Sequence, residues 1–414
     1  MSTSRVSAFD AIPEVGLHGA AAITPNGVSR APLSIRAGRI DASIATPAYR
    51  VDLRDHLIFP GLINAHEHLH NNAVPPLRHD TPFPNSYAWI AAFQRHFEEP
   101  DVVAALRVPK AVRLRHGALK NLLAGTTCVV HHDPWHPALD ADDFPVTLLR
   151  DYGWSYTLAG PDYGPPVQQS FAATPPDRPW MIHLAEGTDA IAQAELEQLD
   201  RLGCLASNSV LVHGVGLREQ DIDRVIARGA AVVWCLGSNR RLLGRTLDPR
   251  RLCAAGRLLF GSDSRLSGAR DLLAELQDAA ERGALSPRQL LALVTTQAAR
   301  ILHLPAGTLA HGAPADLVIV EDRGGDEASS LIGIERSRIR AVLRHGVPQI
   351  ADPDFAEWFA AAGVATVPVL LDGKPKLLAA ALAAPELLEL EPGLEPVIDR
   401  QAYRPMHASG ARHH

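Results

Sequence analysis

Through the middle of the chain the apolar positions repeat one unit: an amphipathic helix, a glycine, a short apolar run, then a polar residue. Ile222, Val225 and Ile226 mark one helical stripe, Gly229 ends it, and Ala231-Val232-Val233-Trp234 reads as the strand before Ser238-Asn239. Leu196, Leu199 and Leu202 mark another, Gly203 closes it, and Val210-Leu211-Val212 leads to His213. Ser286 and Gln289 form a capping box with Pro287 at the first helical position, predicting a helix through Leu290, Leu291, Val294 and Ile301. Strands alternating with helices, each strand ending on a polar residue, predict an α/β fold: a parallel (β/α) barrel whose functional face lies at the C-terminal ends of its strands. Strand ends are predicted near His68, Asp133, Gly160, His183, His213, Cys235 and Asp263. Between Gly160 and Trp180 there is room for a short helix over Val167 to Ala173, but not for a full strand-helix unit of ~30 residues. The expectation is therefore a distorted TIM-like barrel with about seven regular strands.

Short strands flank this middle. Leu33-Ser34-Ile35-Arg36 and Ile40 surround the turn Ala37-Gly38-Arg39, and Asp316 to Val320 pairs in pattern with Ala341 to Arg344 before the turn His345-Gly346. Neither end can bury a core alone, so one small β-domain assembled from both termini is predicted. The boundaries read as 1–59 and 305–414 for the two parts of that domain and 60–304 for the barrel. The Pro-, Leu- and Ala-rich stretch from about Val364 has no assignable element, and the last residues, ending His413-His414, read as a disordered tail.

Composition narrows the class. With 414 residues, 46% hydrophobic and 21% charged, the chain has the balance of a globular enzyme. A net charge of -6 and the lack of a basic stripe argue against nucleic acid as a partner. No apolar run approaches the ~20 residues of a membrane span, and Met1 to Arg5 lacks a signal-peptide core, so a cytoplasmic location is expected. Cys128, Cys204, Cys235 and Cys253 are widely spaced and sit in or beside apolar segments, as buried free thiols do. Aromatic content is only 5%, yet Trp89, Trp135 and Tyr163 fall near predicted strand-end loops.

The chemistry concentrates at those strand ends. The apolar run Leu57 to Ala65 closes on His66-Glu67-His68, and side chains two apart on a strand share a face, so both imidazoles can grip one cation. His183 with Glu186, then His213, then Asp263 each close a further run. Four ligand-type positions in this order point to a metal-dependent hydrolase. Glu186 lies three residues from His183 and would face the other way on an ideal strand, so it reaches the site only if the chain leaves strand geometry after Leu184. A plainer role for Asp263 is capping the next helix.

Pro60-Gly61-Leu62-Ile63-Asn64-Ala65-His66-Glu67-His68, Gly125-Thr126-Thr127, His183-Leu184-Ala185-Glu186, Leu211-Val212-His213-Gly214, Ser238-Asn239 and Gly261-Ser262-Asp263 together resemble the amidohydrolase superfamily, especially its cytosine deaminase and chlorohydrolase-like branch. The resemblance implies a barrel carrying a small composite β-sandwich. It also implies that His66, His68, His183 and Asp263 hold a divalent metal, and that Glu186, His213 and Asp263 carry proton transfer and polarisation. Zinc is the expected metal, with iron as the alternative. Three imidazoles and a carboxylate leave room for a water, whose pKa bound Zn²⁺ lowers to about 7. Relatives with two metals use a bridging Lys or Glu from the fourth strand. Here lysine is absent between Asn121 and Lys374, and Asp151 to Trp180 holds no Glu, so one metal is expected.

His131, His132 and Asp133 depart from the usual residues after Gly-Thr-Thr and read as pocket lining, a second weak site or hydrogen-bond support. The Pro-rich segment from His70 to Asn85 is expected to fold over the site, with Trp89 beginning the next helix. Arg107, Lys110, Arg113 and Arg115 read as the solvated face of a helix. His132, Trp135, Asn239, Arg240 and Arg265 are candidate substrate contacts, with Arg240 or Arg265 pairing an anionic group on a small-molecule substrate. The expected reaction is hydrolysis of a non-peptide C–N bond, by ring deamination or cyclic-amide opening. A silent scaffold and a non-hydrolytic metal lyase are the competing readings, and a homodimer through outer helices is the expected assembly.

Overall fold

The structure, a computed structural model, describes residues 13–24, 27–44, 46–159 and 163–397. The expected tail at His413-His414, the residues Met1 to Arg5 and the strand end at Gly160 lie outside these residues. The barrel region contributes parallel strands β1 (Leu62–Glu67), β2 (Thr126–His131), β3 (Thr147–Leu148), β4 (Gly153–Trp154), β5 (Trp180–Leu184), β6 (Ser209–His213), β7 (Ala231–Trp234) and β8 (Leu258–Phe260). They form two arcs, β1-β2-β3 and β4-β5-β6-β7-β8. All of these strands except β3 and β4 are wholly buried, which is why the buried ones read as near-continuous apolar runs instead of alternating ones. The chain is thus a mixed α/β protein with a TIM-like barrel.

The irregularity falls at β3 and β4, two residues each, with only residues 149–152 between them and no crossover helix. β3 pairs with β2 and β4 with β5, but not with each other. Beyond β8 the chain returns to β1: the Ser262 amide donates to the Asn64 side chain at 3.1 Å and the Asp263 amide to the His66 carbonyl at 3.1 Å. Gly261 is needed at that approach, since a Cβ there would lie 2.8 Å from the His66 Cβ.

Two local expectations are corrected. The helix opened by the Ser286–Gln289 capping box ends at Leu293, and a second begins at Thr296. The break has a cause: the Val294 carbonyl accepts from the Ile63 amide at 2.7 Å, tying the helix end to β1. Arg113 belongs to helix α2 (Lys110–Leu123), separated from Pro100–Arg107 by Pro109, and it is buried. Its guanidinium donates to the carbonyls of His70 at 2.9 Å and Val108 at 3.1 Å instead of facing solvent.

The apolar run before His66 is two strands. His56–Pro60 joins a nine-stranded sheet, Gly61 turns the chain, and β1 enters the barrel. A Cβ on Gly61 would collide with the Thr127 hydroxyl. His56–Pro60 pairs antiparallel with Leu317–Glu321 and parallel with Ala21–Thr24, so both chain ends build one sheet. The segment after Val364 continues it as the hairpin Thr366–Leu371 and Lys374–Ala379, followed by helix α3 (Pro385–Leu390) and the edge strand Leu394–Pro396. A four-stranded sheet of Val15–His18, Leu33–Arg36, Arg39–Ile40 and Tyr49–Asp52 packs on it, Ile35 meeting Gly346. Among the described residues no helix is long and apolar enough to cross a membrane.

Candidate active site

Alternation along β1 sends His66 and His68 to the barrel mouth and turns Glu67 away, where Lys120 pairs with it at 2.7 Å in full burial. His183 closes β5, His213 closes β6, and Asp263 follows β8. The ligand atoms of His66, His68 and Asp263 lie within 4.8 Å of one another, as do those of His66, His183 and His213. The His66 and His183 Nε2 atoms are 3.3 Å apart. The four expected positions thus fall in two triads that share His66, one closed by Asp263 and the other by His213.

The hydrogen bonds behind these rings decide whether a cation fits. His68 Nδ1 meets Asp133 Oδ2 at 2.7 Å, His183 Nδ1 meets the Tyr156 carbonyl at 2.8 Å, and His213 Nδ1 meets the Asn239 amide oxygen at 2.8 Å. Each acceptor fixes the proton on Nδ1 and leaves the Nε2 lone pair facing the shared point. Burial and the surrounding imidazoles push His66 and His183 well below the ordinary histidine range, which favours the neutral form that a metal site requires. Burial lowers His68 too, but Asp133 and Asp263 outweigh it and lift the ring to about 9. A cation bound between the same carboxylates displaces that proton. The donor set fits a divalent metal.

Two carboxyls share the site with opposite shifts. Burial, reinforced by Asp263, drives Glu186 well above the carboxylate range, which favours its protonated form. Burial also opposes charge on Asp263, yet His68, His213 and the hydroxyls of Ser238 and Ser267 (2.7 and 2.8 Å) hold it below the usual value. Glu186 reaches the site because Ala185 adopts φ 52°, breaking strand alternation directly after Leu184. Its carboxyl then lies 3.6 Å from His213 Nε2 and accepts from the Trp89 indole N–H at 2.8 Å. Asp263 caps no helix: the next one, Leu272–Glu281, is capped by Asp271.

The remaining expected contacts are placed differently. Asn239 is buried behind His213 and orients it. His132 is buried below the ligands, stacked on His183 at 4.4 Å, with Nε2 on the Ser155 carbonyl; it does not line the cavity. Trp135 is 39% exposed, bonded to Asp140 and covered by Arg150, because the chain leaves the barrel mouth after Asp133 for the helical turn Pro137–Asp140. Arg240 pairs with Asp278 on the outer side of its helix. Arg265 is drawn the other way, into a bidentate pair with Glu391 at 2.7 and 2.8 Å. Neither arginine reaches the cavity. His70, His131 and Asp133 form a second convergent group. There the Asp133 oxygens already take His68 and the Tyr163 hydroxyl (2.7 Å), and His131 Nδ1 faces the Leu69 amide.

The cavity measures about 430 Å³. His68, His183, His213 and Asp263 form its floor, and helix α1 (Ser86–His96), as predicted from Trp89, forms one wall. Sequence reasoning missed Ser267 and Tyr156, which have no periodic or motif signal, and did not give Trp89 its hold on Glu186. Asp133, read with its two histidine neighbours as pocket lining, a second weak site or hydrogen-bond support, lines the cavity and bonds His68.

The family model described as the amidohydrolase family matches residues 168–367, which include His183, Glu186, His213 and Asp263. The 5-methylthioadenosine/S-adenosylhomocysteine deaminase of Haloquadratum walsbyi is 25% identical over 331 residues, covering 66% of this chain and 72% of that protein. The chain is thus similar to the amidohydrolase family over just under half of its length. Among solved structures of similar fold, a zinc-bound adenosine deaminase from Xanthomonas campestris superposes with a TM-score of 0.65 at 21% identity, over 84% of this chain and 96% of that one. Atrazine chlorohydrolase from Arthrobacter aurescens TC1, complexed with zinc, gives 0.63 at 19% identity over 84% and 100%. Among the described residues, the His/Asp cluster is a group that could hold a metal ion.

Proposed function

We propose that this protein is an amidohydrolase, a metal-dependent hydrolase of non-peptide C–N bonds, and specifically a deaminase that replaces an exocyclic amino group on a small aromatic heterocycle by oxygen, using one zinc ion. The observation that carries the reading is a pair of carboxyls in different settings beside the converging imidazoles: Asp263 on the cavity floor, held by the Ser238 and Ser267 hydroxyls, and Glu186 behind it, against His213 and the Trp89 indole. Titratable neighbours whose environments push them apart divide acid and base work between them. His66, His68, His183 and Asp263 are the proposed metal holders, and a bound zinc supplies Lewis acidity that makes a water nucleophilic near neutral pH. Asp263 accepts the proton of the attacking water and passes it to the exocyclic nitrogen, which leaves as ammonia when its C–N bond breaks. Glu186 delivers its own proton to the ring nitrogen beside the reacting carbon, and the Trp89 indole keeps that carboxyl in place. His213, with Nδ1 committed to Asn239, faces Glu186 with a free nitrogen and shares its proton.

A single zinc is supported by the engagement of Asp133 and His131 elsewhere. The deaminase names among the relatives agree with this chemistry. We also take the two arcs to close as one barrel, with the two outer sheets as a β-sandwich, on the strength of the β8-to-β1 contacts and the Ile35–Gly346 packing. The test is a panel of aminated heterocycles, lactams and N-acyl compounds offered to the zinc-loaded protein. Ammonia release with exchange of the amino group for oxygen on the heterocycles alone supports the proposal. Lactam opening, without ammonia, refutes it.

A further inference from the structure

The deaminase reading leaves the rest of the substrate unspecified, and resting on that reading we propose that the cavity selects uncharged, apolar-substituted rings and excludes rings carrying an anionic group. The wall opposite the metal ligands is one face of α1: Trp89, Ile90 and Phe93, with Phe97 at its end and Leu266 beside it. Phe93 and Phe97 rings lie 4.2 Å apart, presenting a continuous apolar surface above the floor. An alkyl or aryl substituent loses water against that surface and gains contact.

An anionic substituent meets the reverse. Among the described residues no Arg or Lys lines the cavity, and its formally anionic side chains are Asp133 and Asp263. Two carboxylates offset a bound dication, so no surplus positive charge remains for a second anion. The nearby guanidiniums are committed: Arg265 to Glu391, Arg113 to two carbonyls, Arg240 to Asp278. A carboxylate placed against Phe93 and Phe97 would be desolvated with no partner.

Zinc-loaded protein is titrated calorimetrically with an aminopurine bearing a butyl chain and with the same ring bearing a carboxypropyl chain, while ammonia release is followed in parallel. The butyl compound is expected to bind about 100-fold tighter. In Gln94→Arg, which sets a cation at the cavity wall, that gap is expected to narrow about tenfold. Equal or tighter binding of the carboxypropyl compound, no binding of either, or an unchanged gap in Gln94→Arg overturns the inference. Tight binding of the butyl compound without ammonia release instead sinks the deaminase reading and leaves the selectivity standing.

Discussion

Replacing Glu391 by Gln is expected to destabilise the fold by about 3–5 kcal/mol, although Glu391 lies far along the chain from the barrel mouth. Its carboxylate is fully buried and receives Arg265 through two bonds at 2.7 and 2.8 Å, His116 at 2.9 Å, and Arg336. Arg336 is buried too and keeps Asp372 as a second partner at 3.0 Å, whereas Arg265, with 11% of its side chain exposed, has among the described residues only the Arg270 carbonyl left. An amide in place of the carboxylate cancels the charge and turns an N–H₂ group toward cations, so one guanidinium is stranded in low dielectric. The retained Arg336–Asp372 pair favours the lower end of the range.

Burial opposes the Glu391 charge, but His116, Arg265 and Arg336 hold its pKa far below the carboxylate range. A folded pKa below the unfolded one gives stability that is complete above the unfolded value, roughly 4.3, and is lost as pH falls through the folded one. Urea unfolding of both proteins should therefore show a constant gap from pH 8 to about 5 that closes below about 4. A gap under about 1 kcal/mol at pH 7, or one that widens in acid, would refute the reasoning.

Asp133→Asn takes the charge from the carboxylate that fixes the His68 tautomer and should weaken zinc binding about 10–100-fold in chelator competition; unaltered affinity would show that His68 needs no such partner. Trp89→Phe keeps an aromatic wall but deletes the N–H on Glu186, so kcat/KM for a deaminated ring should fall about tenfold, and wild-type kinetics would count against a positioning role. Ala185→Val puts a β-branched side chain at φ 52° and should cost about 2 kcal/mol in urea unfolding while lowering activity through Glu186; full stability would mean that the turn tolerates branching.

The proposed ligand positions were readable as candidates because each closes an apolar run, and run and closing residue are local in sequence. The capping box at Ser286, the αL glycine at Gly229 and the hairpin turn at Gly38 were readable for the same reason. What failed was long-range. Nothing near Arg265 announces Glu391, 126 residues away, and charge beside a ligand is as compatible with an anion site as with a structural clamp. Val364 onward resisted assignment because its strands complete a sheet begun at the other end of the chain, so its burial has no local period. The break at Thr295 arises where β1 captures a helix carbonyl, a tertiary demand that overrides a good helical pattern.

Three residues at the site adopt left-handed backbone without being glycine: Ala185 at φ 52°, His213 at 77° and Asp263 at 54°, each at or just beyond the end of a strand. Such conformations cost about 1–2 kcal/mol apiece and persist only where surrounding bonds over-determine them. Those bonds are present: Glu195 takes the Ala185 amide at 2.6 Å, Gly216 donates to the Ala185 carbonyl at 2.7 Å, and the Asp263 amide is held by the His66 carbonyl. The strain has a geometric use, because an unbroken strand would send every second side chain away from the mouth, and a turn at the last residue gathers side chains that alternation would separate. Glu186 is the clearest case, brought beside His213 although it sits three residues after His183. The same turns explain why glycine would not serve at two of the three positions: there the strained residue is itself the functional side chain.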